Sequence, residues 1–234
     1  MNAAKDCTLQ EKLLRCAMAL ILAAGALLAS VAASPAYAAP STVDVSIGGK
    51  IPYGGFATTW MSADGNIAYC AEPSSPTPAP GSYSTSPVPN GDVTAAIWYS
   101  FGSPGFDASM FPGSWYDGGG WDDAKYAAAS HVLIAYAYSG SESAATHGTS
   151  AEFASWAKSE LIGGTFAKMK AGAGKVSAGF EAFCVRTGGG SQTLVSFSWS
   201  AGGVKVAKED FEAGAGPQGD ASLDGASFSV VNET

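Results

Sequence analysis

Lysine and arginine are scarce in this chain: 12 residues of 234, against 20 aspartates and glutamates, leave a net charge of −8. So little positive charge cannot line a phosphate backbone, which argues against nucleic acid as a partner. Histidine occurs twice and cysteine four times, too few for a zinc or iron–sulfur centre with several such ligands. The sequence accordingly implies no metal and no cofactor. The G-x-S-x-G elbow, the phosphate-binding P-loop and the H-E-x-x-H helix are missing as well. Only 14% of residues are charged while 47% are hydrophobic, which excludes global disorder. What is plentiful is glycine, 30 residues, together with 12 prolines. The expected product is a small acidic protein with long loops and few helices.

Lys5, Lys12 and Arg15 precede an uncharged run from Cys16 to Ala33, and Pro35 leads into Ala36-Tyr37-Ala38. A charged segment, an apolar segment and an A-x-A site in that order read as a secretory signal peptide cleaved near Ala38. An uncleaved membrane anchor is the competing reading of the same run. Cleavage removes Cys7 and Cys16, so the mature chain has no membrane span and carries Cys70 and Cys184 outside the cytoplasm.

The remainder divides into a module over 39–200 and a terminal segment over 201–234. Runs over 56–61 and 66–71 flank Ala63-Asp64-Gly65, a hairpin signal. Prolines 73, 76, 78, 80, 87 and 89 make 71–91 an extended surface loop. Asn90-Gly91-Asp92 offers a cap for a helix over 93–101, although a strand fits the same residues. Residues 103–120 form an aromatic, Gly/Pro-rich loop. Asp122 or Asp123 caps a helix to about Tyr138 that is apolar almost all round and therefore buried. Thr149-x-x-Glu152 reads as a capping box for a helix bearing Phe153, Trp156, Ala157 and Leu161, ended or broken by Gly163-Gly164. Strands over 178–187 and 191–200 join through Gly188-Gly189-Gly190, with Val195, Phe197 and Trp199 toward the core and Ser196 and Ser198 away from it. Two further strands are expected at 204–209 and 226–231. The fold class is α+β: β-sandwich or barrel-like strands with a helical insertion, followed by a partial β-sandwich repeat.

Several residues are candidates for chemistry. Cys70 and Cys184, exported together, suit a disulfide. Alternatively Cys70 is a free nucleophile activated by His131, which stands mid-helix among apolar residues. His147 lies in a polar stretch and reads as a surface residue. Asp117, Asp122 and Asp123 surround three glycines, and turn chemistry explains them without a metal. The aromatic loop 106–121 is either a sugar- or peptide-binding surface or packing over the core.

Tyr69-Cys70-Ala71-Glu72-Pro73, the segment Trp98-Tyr99-Ser100-Phe101-Gly102-Ser103-Pro104-Gly105 and the helix Ala129-Ser130-His131-Val132-Leu133-Ile134-Ala135-Tyr136 together resemble thioester domains of Gram-positive pilus tips and surface adhesins, over 43 to about 200. In that family a cysteine thiol attacks a glutamine carboxamide, ammonia leaves, and the thioester can acylate an amine on a host protein. The resemblance places the family's Thr-Gln-x-Ala-Ile-Trp glutamine at His131, which has no acyl carbon. No functional thioester is therefore expected at the Cys70–His131 pair. Gln192 is the remaining glutamine of the matching region, and nothing in the family pattern places it beside Cys70.

Residues 203–210 and 219–231 resemble the opening of a prealbumin-like Cna-B/SpaA pilin repeat, in which Lys208 matches the lysine of an isopeptide bond. The sequence ends at Thr234 before a strand that could supply the asparagine, so the repeat is expected to be incomplete and Lys208 unlinked. The resemblances imply a secreted, cell-wall-associated adhesion module, not an enzyme, at the tip of a longer anchored adhesin or pilin. Its implied partners are a host-surface or extracellular-matrix protein and downstream repeats of the same polypeptide. A Cys–His acyl-transfer enzyme using Cys70 and His131, and a purely structural pilin-tip domain, are the alternatives.

Overall fold

A computed structural model describes residues 39–200. The signal peptide read over 1–38 and the repeat read over 201–234, Lys208 included, lie outside the described residues. The described chain is α+β. Six antiparallel strands close into a barrel in the order β1-β2-β3-β6-β5-β4: β1 (Thr42–Tyr53), β2 (Phe56–Ala63), β3 (Asn66–Cys70), β4 (Gly81–Pro87), β5 (Phe180–Arg186) and β6 (Leu194–Trp199). The strands thus close on themselves rather than stacking as the two sheets of a sandwich. A barrel this small fills its interior with side chains. Val43, Val45, Met61, Ala63, Ala68, Cys70, Phe183, Val185 and Leu194 do so.

The second, larger core lies between the barrel wall and the helices. These are α1 (Gly91–Trp98), α2 (Asp123–Ser139), the single turn α3 (Glu142–Ala145), α4 (Ala151–Trp156) and α5 (Ala167–Ala171), the last two joined by a π-helical stretch, Ala157–Phe166. Asn90 caps α1 by accepting from the Val93 N–H, and Asp122 caps α2 by accepting from the Lys125 N–H. The apolar circumference of α2 has the expected consequence, since Ala127 through Ala135 are all buried.

Two backbone devices aim the strands. Asp64 and Gly65 both adopt positive φ, 48° and 82°, the two-residue turn that matches strand twist and pins β2 to β3. In β1 the register against β2 shifts by one residue between Ile47 and Lys50. Gly48 stands at this bulge, where a Cβ would meet the Trp60 Cβ at 3.0 Å. The extra residue inverts the alternation. Val43 and Val45 point into the barrel, while Ile51 and Tyr53 point to the helix layer.

Several sequence expectations need correction. Residues 81–87 form strand β4 rather than loop, because no proline falls within 81–86, which leaves 81–84 free to pair with β1 and 84–87 with β5. The cap of α4 is Ser150, whose side chain accepts from the Phe153 N–H, while Thr149 turns back to donate to the Thr146 carbonyl. Gly163-Gly164 does not stop the helix, which passes through them in π geometry. On β6, Ser196 is fully buried and Trp199 is exposed. Ser196 faces the inside of the barrel edge and satisfies its hydroxyl by donating to the Ile67 carbonyl at 2.9 Å.

Candidate reactive site

Cys70 is the last residue of β3, and Ala71 leaves the barrel by donating to the Thr193 carbonyl at 2.9 Å. His131 projects from the middle of α2 toward this strand end. Its Nδ1 accepts from the Cys70 backbone N–H at 3.1 Å. The ring proton therefore resides on Nε2, 3.2 Å from the Thr58 hydroxyl. Tyr69 packs edge-on against the imidazole, with ring centroids 4.9 Å apart. Burial holds His131 neutral, pushing its pKa down to about 3, with a hydrogen bond to the Thr59 backbone acting the other way. An imidazole with both nitrogens engaged and so depressed a pKa is a positioning group, not a base for the thiol.

The partner of the Cys70 thiol is Gln192, whose side-chain carboxamide lies in direct contact with the sulfur. Nothing local in the sequence announces this, because 122 residues separate the two. The barrel topology creates it. β3 pairs with β6 so that Cys70 lies opposite Leu194, and Gln192 stands two residues before Leu194 on the segment entering β6. Both Cys70 and Gln192 are nearly inaccessible, at 4% and 3% exposure. Burial pushes the thiol pKa up to about 12; a hydrogen bond from the Glu72 backbone lowers it and the Glu72 charge adds to the rise.

The proline-bearing loop after Cys70 closes over this pair. Gln192 donates its backbone N–H to the Pro76 carbonyl at 3.0 Å and accepts at its own carbonyl from the Thr187 hydroxyl at 2.8 Å. The Glu72 carboxylate accepts from the Thr193 N–H at 2.8 Å. A cavity of about 60 Å³ remains over the reactive atoms, lined by Tyr53, Phe56, Thr58, Pro73, Ser75 and Thr77 among others. The β1 bulge is what turns Tyr53 into it.

The Cys70–Cys184 pairing does not occur. Both thiols are free, and β6 lies between the strands that carry them. Two strand spacings set them about 10 Å apart, beyond the ~7 Å reach of a disulfide. Cys70 packs inside the barrel and Cys184 on the helix side, so their side chains also leave opposite faces. Burial pushes the Cys184 thiol up. Mass analysis under non-reducing conditions should show no two-hydrogen deficit, and an alkylating reagent should reach Cys184 only after unfolding. Rapid labelling of Cys184 in the native protein would contradict this placement.

The other sequence candidates fall outside the site. His147 is exposed. Asp117 accepts from the Gly119 N–H and Asp122 is the α2 cap; among the described residues no cluster of three acidic, histidine or cysteine side chains could hold a metal ion. The aromatic loop packs over the core, with Phe111 and Trp115 buried in it. No helix among the described residues is long and apolar enough to cross a membrane.

A family model described as "Thioester domain" matches residues 42–164, just over half of the chain. Comparison with curated proteins and with solved structures gives no match. The matched span holds Cys70 and His131 and stops before Gln192, so the carboxamide at the thiol is an addition made by the geometry.

Proposed function

Since the chain belongs to the thioester-domain family, we propose that it is a surface adhesion module in which Cys70 and Gln192 form an internal thioester. The contact between the Cys70 thiol and the Gln192 carboxamide carries this reading. It replaces the expectation of an inactive module, which rested on His131 occupying the glutamine position.

The chemistry balances with the groups present. The Cys70 sulfur adds to the side-chain carbonyl carbon of Gln192, the C–N bond breaks, and the nitrogen departs as ammonia, taking up the thiol proton. An amine of a partner protein then adds to the same carbon. The C–S bond breaks, an amide remains at Gln192, and the Cys70 thiol is restored. Gln192 is consumed, so the event is a single covalent capture without turnover, and the module is not an enzyme.

Three physical features support the reaction. Thiol and carboxamide are held in contact, which removes most of the entropic barrier to their attack on each other. Burial keeps water from hydrolysing the product. The narrow cavity admits the end of a slender side chain, which suits a lysine amine of a host-surface or matrix protein. Secretion through the 1–38 segment, attachment to downstream repeats and a place at the tip of an anchored adhesin complete the proposal.

Incubation with a biotinylated alkylamine tests it. The tag should appear as an amide at Gln192 with one newly titratable thiol at Cys70. Absence of the tag, or its attachment elsewhere, would refute the thioester.

A further inference from the structure

Glu72 bridges the two chain segments that carry the reacting pair, yet neither step of the capture reaction consumes or protonates it. Its carboxylate accepts from the Thr193 N–H at 2.8 Å, next to Gln192 in the chain. Its own backbone N–H favours the Cys70 sulfur two residues away. Its carbonyl accepts from the Ser75 N–H at 2.9 Å, closing the first turn of the proline-bearing loop. The residue is only half-buried, so it is not required to fill the core.

We propose that Glu72 is a positioning residue for thioester formation, its side chain clamping the Gln192–Thr193 backbone to the turn that follows Cys70. Without the clamp, the segment entering β6 still begins its ladder at Leu194. Gln192 lies outside that ladder, its own backbone held by the Pro76 and Thr187 contacts and its neighbour Thr193 by the Ala71 N–H, while the N–H of the Gln192–Thr193 peptide has only the Glu72 carboxylate. A shift of about 1 Å at the carboxamide is enough to slow an intramolecular attack by roughly 100-fold. The clamp acts through hydrogen-bond reach and not through charge. The negative charge of Glu72 opposes thiolate formation, and a charge-based role would work against the reaction.

This inference rests on the proposed thioester, and its test separates the two. The full chain is synthesised in a cell-free system, and the loss of one ammonia is followed over time by intact mass in wild type, Glu72→Gln and Glu72→Asp. The Gln variant keeps an acceptor oxygen at full reach and loses the charge; the Asp variant keeps the charge and loses one methylene of reach. Glu72→Gln should form the thioester within about twofold of wild type, while Glu72→Asp should be slower by roughly 10–100-fold at unchanged melting temperature. Equal rates in all three chains, or a slow Gln variant beside a fast Asp variant, would overturn the clamp. A wild type that never loses ammonia would instead overturn the thioester itself, and the clamp with it.

Discussion

Replacing Gln192 with Glu abolishes covalent capture of a tagged alkylamine, with a loss of at least about 10³-fold in labelling rate, because the contribution of two groups held in attack geometry far exceeds that. The substitution is nearly isosteric, and the Pro76 and Thr187 contacts to the residue use only its backbone, so the fold should survive. A carboxylate has no ammonia to expel and resists attack by a thiol that burial keeps protonated at neutral pH. Cys70→Ala should give the same loss by removing the nucleophile. Melting temperatures close to wild type in both variants would assign the loss to chemistry. Labelling that persisted in either variant would mean that another residue carries the acyl group.

His131→Ala has the second large effect, this one on stability. It leaves the buried Cys70 N–H without an acceptor, which costs about 1–3 kcal/mol, and opens a cavity against Tyr69 and Thr58 worth a further ~2–4 kcal/mol. His131→Gln should behave quite differently. Its side-chain oxygen can accept from the same N–H, so thioester formation continues. Acid unfolding provides the sharper readout. Folded His131 titrates at about 3 against an ordinary value near 6.5 in the unfolded chain. The unfolded state therefore binds the extra proton first as pH falls. The contribution of neutral His131 is complete above about pH 6.5 and is lost progressively between there and pH 3. The Gln variant should show a shallower fall in unfolding free energy over that window, measured by denaturant titration at several pH values. Parallel curves would contradict a buried neutral imidazole.

Local chemistry made much of the fold legible. Asp64-Gly65 between two apolar runs, Asn90 and Asp122 ahead of helical runs, and the apolar circumference of α2 each correspond to an element observed where expected. Signals failed where tertiary pairing overrides composition. Proline density concealed β4, whose pairing with β1 and β5 completes the closed barrel. The two glycines at 163–164 look like a stop, yet the surrounding Leu161, Ile162, Thr165 and Phe166 are buried, and that packing holds the helix together in π geometry.

The site was half visible. Cys70 and His131 stood out by residue type and come together through a backbone N–H rather than through the thiol. Gln192 was present as an isolated glutamine before an alternating run, a usable signal in a stretch with no other glutamine, but only the β3–β6 pairing shows which cysteine it meets. The disulfide reading failed for a related reason. Spacing along the chain says nothing of the intervening β6, nor of the opposite faces on which the two thiols lie.

Intact mass of the purified wild-type chain, denatured without reductant or added amine, tests the Cys70–Gln192 thioester most directly. The thioester predicts a mass one ammonia below that of the mature sequence, a gain of one whole alkylamine when the native chain is treated with it, and no ammonia deficit in Gln192→Glu. A mass equal to the sequence value, or lower by two hydrogens, would contradict it.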